Sequence, residues 1–86
     1  MLDRILIVDD EQEIADLVTL YLENEGFEIF KFYNALDALH CIENESLDLA
    51  IIDIMMPQLN GFQLCKKIRE QHHYPVIMLT AKGEEI

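Results

Sequence analysis

Positive charge is what this chain has least of: six Lys and Arg stand against 17 Asp and Glu in 86 residues, a formal net charge of −11. Neutralising nucleic-acid phosphates takes clustered cations, so direct nucleic-acid binding is excluded. Cations and basic protein surfaces are the expected partners. Cysteine is nearly as scarce. Cys41 and Cys65 are the only two, too few for a disulfide scaffold, and both fall in helix-like segments; they read as free thiols in a reducing cytoplasm. No apolar run approaches the roughly 18 residues of a membrane helix. Strand-like residues begin almost at Met1, which leaves no place for a signal peptide. A soluble, cytoplasmic protein is expected. What is plentiful is apolar character: hydrophobic residues make up 51%, which excludes a disordered acidic tail. The length implies one domain over residues 1–86 with a modest core, burying roughly 60–65% of the unfolded surface.

Short apolar runs bounded by polar residues predict buried strands at 4–8 and at 47–52. Between them, Ile14, Leu17, Val18 and Tyr21 recur at helical spacing, predicting a helix from about Glu11 to Glu25 with that stripe inward and Gly26 as its stop. Glu28 to Tyr33 alternates and is aromatic, the pattern of a half-exposed edge strand. Asn34 caps a second helix with Asp37 three residues on, and Ala35, Ala38, Leu39 and Ile42 share a face. Met55 to Gly61 is a loop punctuated by Pro57 and Gly61. A third helix is predicted from about Phe62 to Gln71 with Leu64, Cys65 and Ile68 inward. Pro75 opens a fourth strand, Val76 to Leu79, ending at Thr80. Strands alternate with helices, and right-handed crossovers then make a doubly wound parallel α/β sheet. There is no repeat, linker or low-complexity tract.

Asp9 and Asp10 follow the first strand, and Asp53 ends the third. The carboxyl ends of the strands are where open α/β sheets bind ligands. Three carboxylates in one small pocket repel one another, and burying them is costly. A hard cation resolves that conflict, and Mg²⁺ favours a few carboxylates plus phosphate or water oxygens. Asp10 has a plainer alternative as cap of the first helix with Glu13 three residues later. His72 and His73 are adjacent and suit surface or capping roles rather than a ligand pair. Met55 and Met56 read mainly as loop packing, and Glu84 and Glu85 as solvated charges.

Ile5-Leu6-Ile7-Val8-Asp9-Asp10-Glu11, Asp53-Ile54-Met55-Met56-Pro57 with Gly61, and Met78-Leu79-Thr80-Ala81-Lys82 together resemble the receiver domain of bacterial two-component response regulators. The flavour is that of winged-helix transcription regulators of the vancomycin-resistance type. The resemblance covers essentially the whole chain. It implies a flavodoxin-like fold with strand order 2-1-3-4, an order carried over from the family. It implies that Asp53 accepts a phosphoryl group from a histidine kinase as a mixed anhydride. Asp9, Asp10, Asp53 and the main-chain carbonyl of Met55 would hold Mg²⁺. Thr80 would be the switch hydroxyl that hydrogen-bonds the phosphoryl oxygens. Such a module is not a dedicated enzyme; at most it self-catalyses slow phosphoryl transfer and hydrolysis.

The chain departs from the family pattern where a complete receiver continues with a fourth helix, a fifth strand and a fifth helix. The expectation is a C-terminally truncated receiver of four strands and three helices. The Lys that follows the family's fifth strand has no counterpart, and Lys82 is not that residue. Phosphorylation is accordingly expected to be impaired. A fourth strand left as an apolar edge recruits another chain, so a homodimer is expected. One alternative is an interaction fragment with relic carboxylates. Another is an aspartyl phosphatase, which the Met at position 55 disfavours.

Overall fold

The computed structural model describes residues 3–79. Thr80 and Lys82, Glu84 and Glu85 lie outside the described residues. The elements are β1 (Arg4–Val8), α1 (Gln12–Asn24), β2 (Glu28–Phe32), α2 (Ala35–Asn44), β3 (Leu49–Asp53), α3 (Gly61–Arg69) and β4 (Val76–Leu79). All pairings are parallel, and the sheet order is β2-β1-β3-β4. That is the expected doubly wound arrangement, with β2 at one edge and, among the described residues, β4 at the other.

Strand periodicity of two sorts the sheet into faces. Leu6, Val8, Ala50 and Ile52 pack with Ala35, Ala38, Cys41 and Ile42 of α2 and with Leu64 and Ile68 of α3. Ile5 and Ile7 point the other way, onto Ala15 of α1, with Val18, Leu22, Phe27, Leu49 and Ile51 packed around them. Because Ile5 pairs with Leu49 and Leu6 with Ala50, like parity aligns across neighbouring strands. The central strands are apolar on both faces, which is why they read as continuous runs.

The helix boundaries follow local chemistry. The Asn34 side chain accepts from the Asp37 N–H at 2.8 Å and caps α2. After α1, Gly26 sits at φ 96°, a conformation that suits glycine. The third helix starts one residue earlier than expected, at Gly61, because Asn60 forms a capping box with Gln63. The third strand begins at Leu49 rather than Leu47.

The inward face of α1 differs from the expected stripe. Ala15 and Thr19 are buried, while Ile14, Leu17 and Tyr21 are 38%, 55% and 67% exposed. Two contacts set this roll. Ala15 is small enough to bring the helix close over Ile5 and Ile7. On the flank, the Asp16 carboxylate accepts from Lys31 Nζ and from the Tyr33 hydroxyl, each at 2.7 Å, which ties α1 to β2. Leu20 is exposed as well, and an open apolar groove of about 510 Å³ has a lining that includes Ile5, Leu22 of α1, Leu49, Ile51 and Ile77. Cys65, expected inward, is only half-buried.

Candidate metal centre

The first two carboxylates come from the end of β1. Asp9 continues that strand's line by donating its N–H to the Phe32 carbonyl at 3.1 Å. Its side chain then turns back: Oδ1 accepts the Glu11 N–H at 2.9 Å. That bond closes a turn leading into α1, whose N-cap, Glu11, makes no side-chain cap bond. Asp10, weighed above as the cap, is exposed and does not perform that role. The third carboxylate belongs to Asp53, the last residue of β3, paired with Leu79 of β4. Its Oδ1 accepts the Met55 N–H at 3.1 Å.

Oxygens of Asp9, Asp10 and Asp53 all lie within 4.8 Å of one another. Asp9 and Asp53 are buried, at 3% and 8% exposure. None of the three makes an ion pair among the described residues. The electrostatic consequence is a raised carboxyl pKa. Asp53 is pushed from 3.8 up to about 6, first by burial and then by the charges of Asp9 and Asp10, against the Met55 hydrogen bond. Asp9 is raised too, chiefly by burial. Ionising this cluster costs free energy that a hard divalent cation can return, and an all-oxygen donor set fits one.

The loop beyond Asp53 is held tightly. Gly61 donates its N–H to the Ile54 carbonyl at 3.0 Å. A Cβ at Gly61 would collide with the Asp53 carbonyl oxygen, so only glycine permits this approach. Gln58 takes φ 69°, which turns the chain between Pro57 and Asn60. The Asn60–Gln63 capping box anchors the far side of this loop. That pair was legible in Asn-Gly-Phe-Gln and is missing from the expectations above. The Met55 side chain is 63% exposed, whereas Met56 is buried in the larger core.

Residues 5–86 match the sequence profile of the family described as "Response regulator receiver domain". The chain belongs to that family. Over its full length it is 58% identical to the regulatory protein VanR of Enterococcus faecium, of which it spans 37%. Among solved structures, a CheY-like receiver domain protein from Methanospirillum hungatei JF-1 superposes with a TM-score of 0.90 at 38% identity, covering 98% of this chain and 68% of that one. The response regulator TrrA of Thermotoga maritima, solved in complex with Mg²⁺-BeF, gives 0.86 at 37% identity, over 95% of this chain and 72% of that one. The chain thus spans little more than a third of the curated relative's length. Receiver domains are signalling domains of two-component systems rather than dedicated enzymes, and the four-stranded order described above is theirs.

Proposed function

We propose that this chain is the phosphoacceptor unit of a two-component relay, with Asp53 taking a phosphoryl group from a histidine kinase. The observation that carries the reading is the convergence of Asp9, Asp10 and Asp53, with Asp53 buried and raised to about 6. In the transfer, an Asp53 carboxylate oxygen bonds to phosphorus while the phosphorus–nitrogen bond to the kinase imidazole breaks; the imidazole leaves with the electron pair. Little covalent help is needed, so positioning and charge neutralisation carry the rate. Asp9, Asp10, Asp53 and the Met55 carbonyl would hold Mg²⁺. When bound, the ion supplies charge neutralisation for the acceptor and the incoming phosphoryl oxygens. The Met55 N–H fixes Asp53 Oδ1, and the Gly61 approach fixes the backbone beneath it. Thr80 follows β4 and is assigned the switch hydroxyl, worth roughly 1.5–3 kcal/mol as a charge-assisted hydrogen bond. The setting is cytoplasmic, and the output is transcriptional regulation.

A Mg²⁺ titration followed by beryllofluoride tests this. Signals expected are a spectral change with Mg²⁺ that is lost in Asp9→Ala, then a second with beryllofluoride that is lost in Asp53→Ala. A folded chain that responds to neither ligand refutes the reading.

A second reading, self-association, rests on the apolar groove beside α1 and on the half-exposed Ile77 of β4. It predicts a dimer in light scattering, and a fully folded monomer at all concentrations refutes it.

A further inference from the structure

Methionine is among the residue types most often buried, yet Met55 sits 63% exposed immediately beyond the acceptor carboxylate. It shares the lining of an open apolar groove of about 480 Å³ with Ile54, Met56, Asn60 and Phe62. Phe62 is 61% exposed, so the groove presents sulfur and ring to solvent. The neighbouring Met56 is only 8% exposed and Met78 is half-buried. Cys41 is buried, and burial raises its pKa, which keeps the reactive thiolate scarce; Cys65 is half-buried.

We propose that Met55 is a reversible oxidative-modification site for hydroperoxides, poised to alter the Asp53 pocket. The sulfur lone pair attacks the distal peroxide oxygen. A sulfur–oxygen bond forms, the oxygen–oxygen bond breaks, and water or an alcohol leaves after taking a proton. The thioether is oxidised to the sulfoxide and the peroxide is reduced. A dithiol-dependent reductase reverses the step. The product is polar and chiral in place of a flexible apolar chain. It no longer suits the apolar groove with Phe62. Reorienting residue 55 disturbs its N–H, which donates to Asp53 Oδ1 at 3.1 Å. The regulatory meaning rests on the phosphoacceptor role proposed above, whereas the reactivity and its effect on Asp53 do not.

The test exposes the purified chain to dilute hydrogen peroxide, alkylates and counts the thiols separately, and follows sulfoxide at each methionine by peptide mass spectrometry. Met55 is expected to oxidise several-fold faster than Met56 and Met78; equal rates overturn the site. In parallel, NMR follows the Asp53 carboxyl carbon and the residue 55 amide. Both signals are expected to shift as Met55 oxidises and to return with methionine sulfoxide reductase. In Met55→Leu, compared with itself before and after peroxide, neither moves. Unmoved signals at full Met55 oxidation in the native chain, or equal shifts in Met55→Leu, overturn the coupling. Both readouts use the free chain, so a chain that takes up no beryllofluoride still decides the matter at Met55.

Discussion

At the amino end of the sheet, the Arg4 guanidinium donates to Glu45 at 2.7 Å, to Glu28 at 3.3 Å and to the Ser46 carbonyl at 2.8 Å, while lying over the Phe30 ring. At the carboxyl end, three carboxylates meet with no ion pair among the described residues. One end gathers its carboxylates around a cation of the chain, and the other brings three together without one among the described residues. The first end ties β1, β2 and the α2–β3 connection together. The second carries a repulsion that the fold must absorb elsewhere, and perturbed carboxylates of this kind gather at functional sites. The two ends of the same strands thus differ in how their charges are partnered.

The largest expected effect comes from Gly61→Ala. The added Cβ collides with the Asp53 carbonyl oxygen, and relieving it moves the backbone at Asp53 at an expected cost of about 3 kcal/mol, to be read by urea denaturation. By contrast, Gly26→Ala meets open space and suffers only its φ of 96°, a loss of about 1 kcal/mol. Equal losses at both glycines would show that the carboxyl end is no more tightly built than a surface turn.

Next comes Asp53→Asn, which sharpens the contrast because its sign is opposite. The Asp53 carboxyl is raised from 3.8 to about 6, so the folded state holds its proton more firmly than the unfolded one. Its stabilising contribution is full below pH 3.8 and is lost as pH climbs through about 6. The Asn variant is therefore expected to stabilise the metal-free chain at neutral pH by on the order of 2 kcal/mol. Thermal melts should show that gain vanish in acid. A variant less stable than the parent at neutral pH contradicts the repulsion. Mg²⁺ affinity should likewise rise with pH through about 6, since protons and cation compete for the same oxygens.

Asn60→Ala removes the capping box that anchors α3 beside the site and is expected to cost about 1 kcal/mol in urea titrations. The smallest effect belongs to Arg4→Met at the amino end. Its pairs are solvent-exposed, and such pairs contribute little and weaken with salt. A small, salt-dependent drop in melting temperature is expected. A loss exceeding that of Asn60→Ala, undiminished by salt, would make Arg4 a structural centre rather than a surface tie.

β1 and β3 and their acidic ends were legible because each is a local signal: an apolar run, then Asp. The Asn34 cap was legible for the same reason. The orientation of α1 was not. Ile14, Leu17, Val18 and Tyr21 make a convincing stripe by hydrophobicity, but of these only Val18 packs on the sheet, together with Ala15 and Leu22, while Thr19 is buried. Which stripe wins depends on how closely the helix approaches Ile5 and Ile7 and on the Asp16 tie to Lys31 and Tyr33. Neither is encoded within the helix itself. The division of labour at positions 9 and 10 was hidden too, because a backbone bond to Glu11 separates two adjacent, chemically identical residues.

Sequence alone determined the alternation of strands and helices, the acidic balance and the candidate carboxylates, since these depend on residue type and spacing along one chain. Only the tertiary structure decided that residues 44 positions apart share one pocket, which side of α1 is buried, and that Gly61 presses on the Asp53 backbone. These depend on distances between segments, and parallel pairing of β1 with β3 brings Asp9 and Asp53 to the same rim through a register that no local pattern specifies.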